Sequence, residues 1–154
     1  MRKIKFTWVG KLKKGHWAEA AGQYLPRIKR FCPMEEIQVK DAALADIEAR
    51  KIKEGELLLG RFQPQDLVIC LDEHGRTMTS VQLASHLGRW FEHPGKAPCF
   101  VIGGAYGLSR QVLERAEFTL SLSPMTFPHE MARVVLLEQI YRAATILGNM
   151  PYHH

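Results

Sequence analysis

The sequence predicts an α/β protein with a mostly parallel sheet and helices on both faces. Three observations predict it. Strand and helix patterns alternate along the chain in the order βαβαβαβαβα. Two interior runs, "DLVICLD" (66–72) and "PCFVIGG" (98–104), are almost continuously apolar, as in strands covered on both faces. The 154 residues are 46% hydrophobic and 24% charged, with no repeat or linker, which suits one domain over 1–154 with a substantial core.

The elements follow in order. "KIKFTWVG" (3–10) alternates, with Ile4, Phe6 and Trp8 on one side of a strand. His16 to Leu25 reads as a helix stopped near Pro26, which lacks a backbone donor. "EEIQVK" (35–40) is a short strand, and Ala43 to Leu59, rich in Ala, Glu, Lys and Leu, is a long helix. After the strand at 66–72, Thr79 or Ser80 can cap a helix through Trp90. After the strand at 98–104, Ser109 can cap a short helix through Ala116. "EFTLSLS" (117–123) is the last strand. The last helix starts at about Pro128, which suits a first turn, and Glu130 complements the positive helix end. Along it Met131, Val134, Val135, Leu136, Leu137, Ile140 and Tyr141 cover more than one stripe. A helix apolar nearly all round is buried on several sides. As the last element of a small domain it calls for a partner chain, most simply a symmetric homodimer.

Charge narrows the partners. Residues 1–40 hold ten Lys/Arg (Arg2 and Lys14 among them) against three acids, a local +7 within a chain of +5. A polyanion such as nucleic acid fits this asymmetry, and so does a plain solvated surface. Cys32, Cys70 and Cys99 form no CxxC pair and read as buried thiols of a reducing compartment. The basic start has no uninterrupted apolar core, and no apolar run is long enough to cross a bilayer. A soluble cytoplasmic protein with no membrane partner is expected.

In parallel sheets ligands sit beyond the carboxyl ends of the strands. Three loops leave such ends: "LDEHG" (71–75), "GGAYGLS" (103–109) and "SLSPMTFPH" (121–129). Gly103, Gly104 and Gly107 tolerate unusual backbone angles, yet their spacing is neither GxGxxG nor GxxxxGK[ST]. Met125 and Phe127, apolar between two prolines, can wall an adenine-sized pocket or simply pack a core. GxSxG, HExxH and metal-ligand spacings do not occur in the sequence, so no metal is expected. His74, His86 and His93 read as surface residues.

These motifs carry a resemblance. "LDEHG", "FVIGGAYGLS", "LSLSPMTFPHEMARVVLLEQIYRA" and the terminal "PYH", with the N-terminal "VGK", resemble the SPOUT-class methyltransferases of the ribosomal large subunit methyltransferase H family. Those enzymes methylate N3 of a pseudouridine in 23S ribosomal RNA. The resemblance spans the chain, and the run from Leu120 to Ala143 followed by "PYH" is its most specific part. It implies a C-terminal trefoil knot, a homodimer, and S-adenosylmethionine held by Leu71, Gly103, Gly104, Leu122, Ser123, Pro124, Met125, Thr126 and Phe127. Ala105 and Tyr106 stand at positions that vary in the family, and His154 stands where a basic residue is common. Methyl transfer to N3 requires loss of the N3–H proton, which calls for a base or a polarising contact near the methyl group. His153, Tyr152, Arg142 and His129 are the candidates, with the tail expected to face large-subunit RNA in the assembled ribosome. A SPOUT enzyme acting on another RNA such as tRNA, and a non-catalytic ribosome-assembly factor, are the alternatives.

Overall fold

The structure, a computed structural model, describes residues 3–13 and 15–154. Arg2 and Lys14, two of the ten basic residues near the start, lie outside the described residues. The strands are β1 (Ile4–Val9), β2 (Met34–Val39), β3 (Asp66–Arg76), β4 (Ala97–Ile102) and β5 (Phe118–Leu120). The helices are α1 (His16–Lys29), α2 (Ile47–Leu59), α3 (Ser80–Phe91), α4 (Arg110–Arg115) and α5 (His129–Leu147). All four strand pairings are parallel, in the order β2-β1-β4-β3-β5. The α/β sheet expected from the sequence is therefore present.

Alternation along β1 separates the two faces. Ile4, Phe6 and Trp8 enter the larger core with Leu83, Leu87 and Trp90 of α3 and Leu136, Leu137 and Ile140 of α5. Val9 joins the smaller core with Val68 and Cys70 of β3, Val101 of β4, Leu58 of α2 and Val112 of α4. The smaller face is not wholly apolar. Lys5 is buried there and pairs with Asp66 at 2.7 Å, while its ammonium also donates to the Arg61 carbonyl. Cys32, Cys70 and Cys99 are all buried. Burial pushes the Cys70 and Cys99 thiols up to about 12, so both stay protonated at neutral pH. No described helix is long and apolar enough to cross a membrane.

Four expectations need correction. Pro26 does not stop α1, which continues to Lys29 because Ile28 in its last turn is buried in the main core. Burying an isoleucine is worth roughly 1.5–3 kcal/mol, comparable to the ~3 kcal/mol cost of a proline in a helix. The second helix starts at Ile47, not Ala43. Asp46 caps it by accepting from Ala49 N at 2.8 Å, and Glu54 holds Ala42 N at 2.9 Å, keeping that segment extended. "LDEHG" is not a plain loop but an excursion within β3. Leu71 and Arg76 both register with Leu120, and residues 72–75 bulge out between them. His86 is half-buried and not a free surface residue; its ring packs 5.4 Å from Trp90 and 5.2 Å from Phe118, and partial burial lowers its pKa.

The caps of the other helices follow the sequence. Thr79 forms a capping box with Gln82 on α3, and Ser109 accepts from Val112 N on α4. Helix α5 packs between α1 and α3, and no side chain before Leu147 is fully exposed. Its apolar surface is covered only in part within the chain, with Met131, Val134, Val135 and Tyr141 half-buried.

Candidate active site

A cavity of about 570 Å³ opens beyond the carboxyl ends of β3 and β4. Three segments far apart in sequence supply most of its wall: 71–74, 102–108 and 122–127. Lys51 of α2, Leu113 of α4, and His129 and Ala132 of α5 complete it. Eight of the nine residues that the resemblance assigns to the cofactor line this cavity: Leu71, Gly103, Gly104, Leu122, Ser123, Met125, Thr126 and Phe127. Pro124 is exposed and stands outside the lining. Sequence reasoning missed Lys51 and Leu113, which helix packing alone brings there. A second hollow of about 430 Å³ lies at the amino end of the sheet around Lys5 and Asp66. The carboxyl-end cavity is the better ligand site for a parallel sheet.

Each wall is fixed by local contacts. In the glycine turn, Gly107 N donates to the Gly104 carbonyl at 3.1 Å, and Gly107 takes a left-handed φ of 86°. A Cβ at Gly103 would lie 2.8 Å from the Gly107 carbonyl carbon. A Cβ at Gly104 would lie 2.9 Å from Glu54 Oε1 and 3.2 Å from Val9 Cγ1. These two glycines let the turn close on itself and on Glu54. The other two walls are tied together. Ser121 Oγ donates to the Glu73 carbonyl at 3.1 Å and to the Ser123 carbonyl at 2.9 Å. Ser123 Oγ accepts from Met125 N at 3.0 Å, and the Thr126 hydroxyl donates to the Glu73 carboxylate. The Asp72 carboxylate accepts from His74 N at 2.9 Å.

Of the four candidates the sequence offered for the proton step, His129 lines the cavity and Arg142, Tyr152 and His153 do not. Burial and the nearby Arg133 charge lower the His129 pKa, against the opposing pull of Glu130, Glu54 and Asp41. Arg142, Tyr152 and His153 gather elsewhere. Arg142 donates to Glu138 Oε1 at 2.6 and 3.0 Å, and its guanidinium sits 4.8 Å over the Tyr152 ring. Tyr152 Oη donates to the same carboxylate oxygen at 3.2 Å, and His153 Nδ1 lies 3.3 Å from Arg142 Nη1. Desolvation and the Glu138 charge raise the Tyr152 pKa. Thirteen residues of α5 separate His129 from Arg142, about 20 Å at 1.5 Å per residue. Within one chain the tail cluster and the cavity are at opposite ends of the helix.

A family model described as "Predicted SPOUT methyltransferase" matches residues 2–153. The chain belongs to the SPOUT methyltransferase family. A relative from Nitratidesulfovibrio vulgaris (strain DP4), "Ribosomal RNA large subunit methyltransferase H", is 51% identical over 155 residues, covering 100% of this chain and 99% of its own. The protein of that name from Oleidesulfovibrio alaskensis is 50% identical, with both chains fully covered. Among solved structures, a probable methyltransferase from Bordetella pertussis Tohama I superposes with a TM-score of 0.58 at 16% identity, covering 93% of this chain and 95% of its own. That likeness concerns the fold.

The cavity of this SPOUT methyltransferase fits an adenosyl cofactor on its own chemistry. Leu71, Leu122 and Phe127 supply apolar wall for a base, and the glycine turn brings bare backbone to the ligand. Asp72 and Glu73 place carboxylates in the lining, a charge that suits a cationic sulfonium and ammonium. Among the described residues no group of three or more His, Cys, Asp or Glu could hold a metal ion.

Proposed function

We propose that this chain, read as one domain over 1–154, is an S-adenosylmethionine-dependent methyltransferase of the cytoplasm. Its substrate is large-subunit ribosomal RNA in the assembled ribosome, methylated at N3 of a pseudouridine. The observation that carries the reading is the convergence of 71–74, 102–108 and 122–127 on one cavity beyond the strand ends. The full-length relatives named ribosomal RNA large subunit methyltransferase H supply the substrate class. When bound, the cofactor supplies an electrophilic methyl group on a sulfonium. The chain's own work is then to hold that group against the nucleobase and to take away a proton. The trefoil knot belongs to the same reading, with the 121–127 loop closing against the β3 excursion.

The homodimer belongs to it as well, on grounds beyond the half-buried apolar residues of α5. Arg142, Tyr152 and His153 can serve a cavity about 20 Å from their own helix end only if a second copy presents them. Sedimentation at micromolar concentration should show one species of twice the chain mass, and a fully active monomer would remove the shared site. The main test is chemical. Ribosomes from a strain lacking the gene should gain one methylated pseudouridine when incubated with the protein and S-adenosylmethionine. Unchanged RNA masses in that assay would sink the reading.

A further inference from the structure

Among the described residues, Lys51 is the one Lys or Arg that lines the cavity. It stands on α2, a turn before Glu54. Two contacts seat that helix beside the glycine turn. Glu54 is buried, accepts from Ala42 N at 2.9 Å and fills the place a Gly104 side chain would need. Gly55 lies so close to Ser109 that a Cβ there would come within 2.3 Å of the Ser109 Oγ. Lys51 is therefore held to the same wall as Gly104 and Tyr106. The other two cations of α2 have partners. Arg50 lies 3.8 Å from both Asp41 and Glu54, with its guanidinium 5.4 Å from the Tyr106 ring centroid. Lys53 lies 3.8 Å from Glu56. Half-buried Lys51 forms no ion pair or side-chain hydrogen bond among the described residues.

The acids of the cavity stand on a different wall, the β3 excursion. Asp72 accepts from His74 N at 2.9 Å, and Glu73 accepts from the Thr126 hydroxyl and lies 3.9 Å from His74 Nε2. Neither carboxylate pairs with Lys51. The cavity thus offers carboxylates on one wall and an unpaired ammonium on another. A ligand that satisfies both carries both signs, as the amino-acid end of S-adenosylmethionine does. None of the nine residues that the resemblance assigns to the cofactor carries a charge, so its α-carboxylate has no counter-ion among them. We propose that Lys51 binds the α-carboxylate of S-adenosylmethionine, while Asp72 and Glu73 face the cationic groups. The proposal rests on the methyltransferase reading above and assigns one end of its cofactor. An ammonium has three donors and no acceptor, and an ion pair made in a half-enclosed wall is screened less than one in open water. The contact therefore favours a nucleoside that carries an amino acid over adenosine itself.

Calorimetry with two ligands, S-adenosylmethionine and its decarboxylated analogue, tests this. The parent should bind the analogue about tenfold or more weakly, the scale of one hydrogen bond to a charged group. Lys51→Met should lose the same factor for S-adenosylmethionine and bind the two ligands about equally. Lys51→Arg should keep the parent's preference. Equal binding of the two ligands by the parent overturns the proposal, whether or not the Met variant folds. So does a Met variant that keeps the parent's affinity for S-adenosylmethionine, or one that loses both ligands alike. If the Met variant binds S-adenosylmethionine normally but needs more ribosomes for half-maximal transfer, Lys51 meets an RNA phosphate and the proposal falls. A parent that shows the expected ligand preference but leaves ribosomal RNA unmethylated overturns the underlying reading of the substrate and not the Lys51 contact.

Discussion

Gly103 shows how a single residue can be needed for a reason its motif does not state. The resemblance places it against the cofactor. The structure shows that its missing Cβ makes room for the Gly107 backbone, 2.8 Å from where that atom would be. Gly103→Val should therefore act first on the turn. We expect a stability loss of about 1–3 kcal/mol, the usual cost of overpacking, together with weakened S-adenosylmethionine binding. Thermal unfolding and calorimetry on one sample separate the two. Lost affinity with an unchanged melting temperature would show that the side chain blocks the ligand and not the turn.

At the scale of elements, the β3 excursion and the loop after β5 act as one wall because Glu73 accepts from Thr126 and its carbonyl from Ser121. Thr126→Val keeps the shape and removes the side-chain bond. Loss of a hydrogen bond to a charged group is worth about 1.5–3 kcal/mol, so cofactor release should quicken by about tenfold or more. Stopped-flow displacement measures this, and an unchanged release rate would show that the Ser121 tie suffices. The tail is the second case. Tyr152 and His153 lie on Glu138 and Arg142 of α5, after the helix has ended at Leu147. Removing residues 152–154 should leave the fold and cofactor affinity intact. Methyl transfer should fall by at least about a hundredfold if the tail handles the substrate's proton. Transfer at the parent rate would confine the tail to packing and leave the proton to His129.

For the whole molecule, stability should depend on pH in two separate windows. His86 and His129 have folded pKa values lowered by burial from the ordinary 6.5. Below 6.5 the unfolded chain binds protons that the folded chain refuses, so unfolding becomes easier as pH falls from there toward the lowered values. Glu35 is lowered by its bond to Lys3. Glu117 is raised by burial but lowered further by Lys96, the Val68 N–H and Arg115. Their contribution is present above 4.5 and is lost only in more acidic solution. Urea midpoints should thus be flat from pH 8 to 7, decline first below about 6.5 and again below about 4.5. A midpoint that rises on acidification from pH 7 to 5.5 would contradict the burial of the two imidazoles.

The sequence by itself determined the alternation of elements, the two central strands and the caps at Thr79 and Ser109, because these follow from local periodicity and local hydrogen bonds. Motif resemblance added eight residues of the cavity wall. Only the tertiary structure decided where helices begin and end against the core. Ile28 carries α1 past Pro26, and Glu54 keeps Ala42 out of α2. It also turned "LDEHG" into an excursion of β3, since pairing with Leu120 on both sides of the bulge is a contact some fifty residues away in the chain. The same holds for function. His129 and Arg142 stand on one helix and look equivalent in sequence, but the helix rise puts them about 20 Å apart, and only His129 meets the cavity. Arg133, which no sequence pattern singles out, is buried against the β1 carbonyls only by folding, because charge is local to the sequence while desolvation belongs to the assembled core.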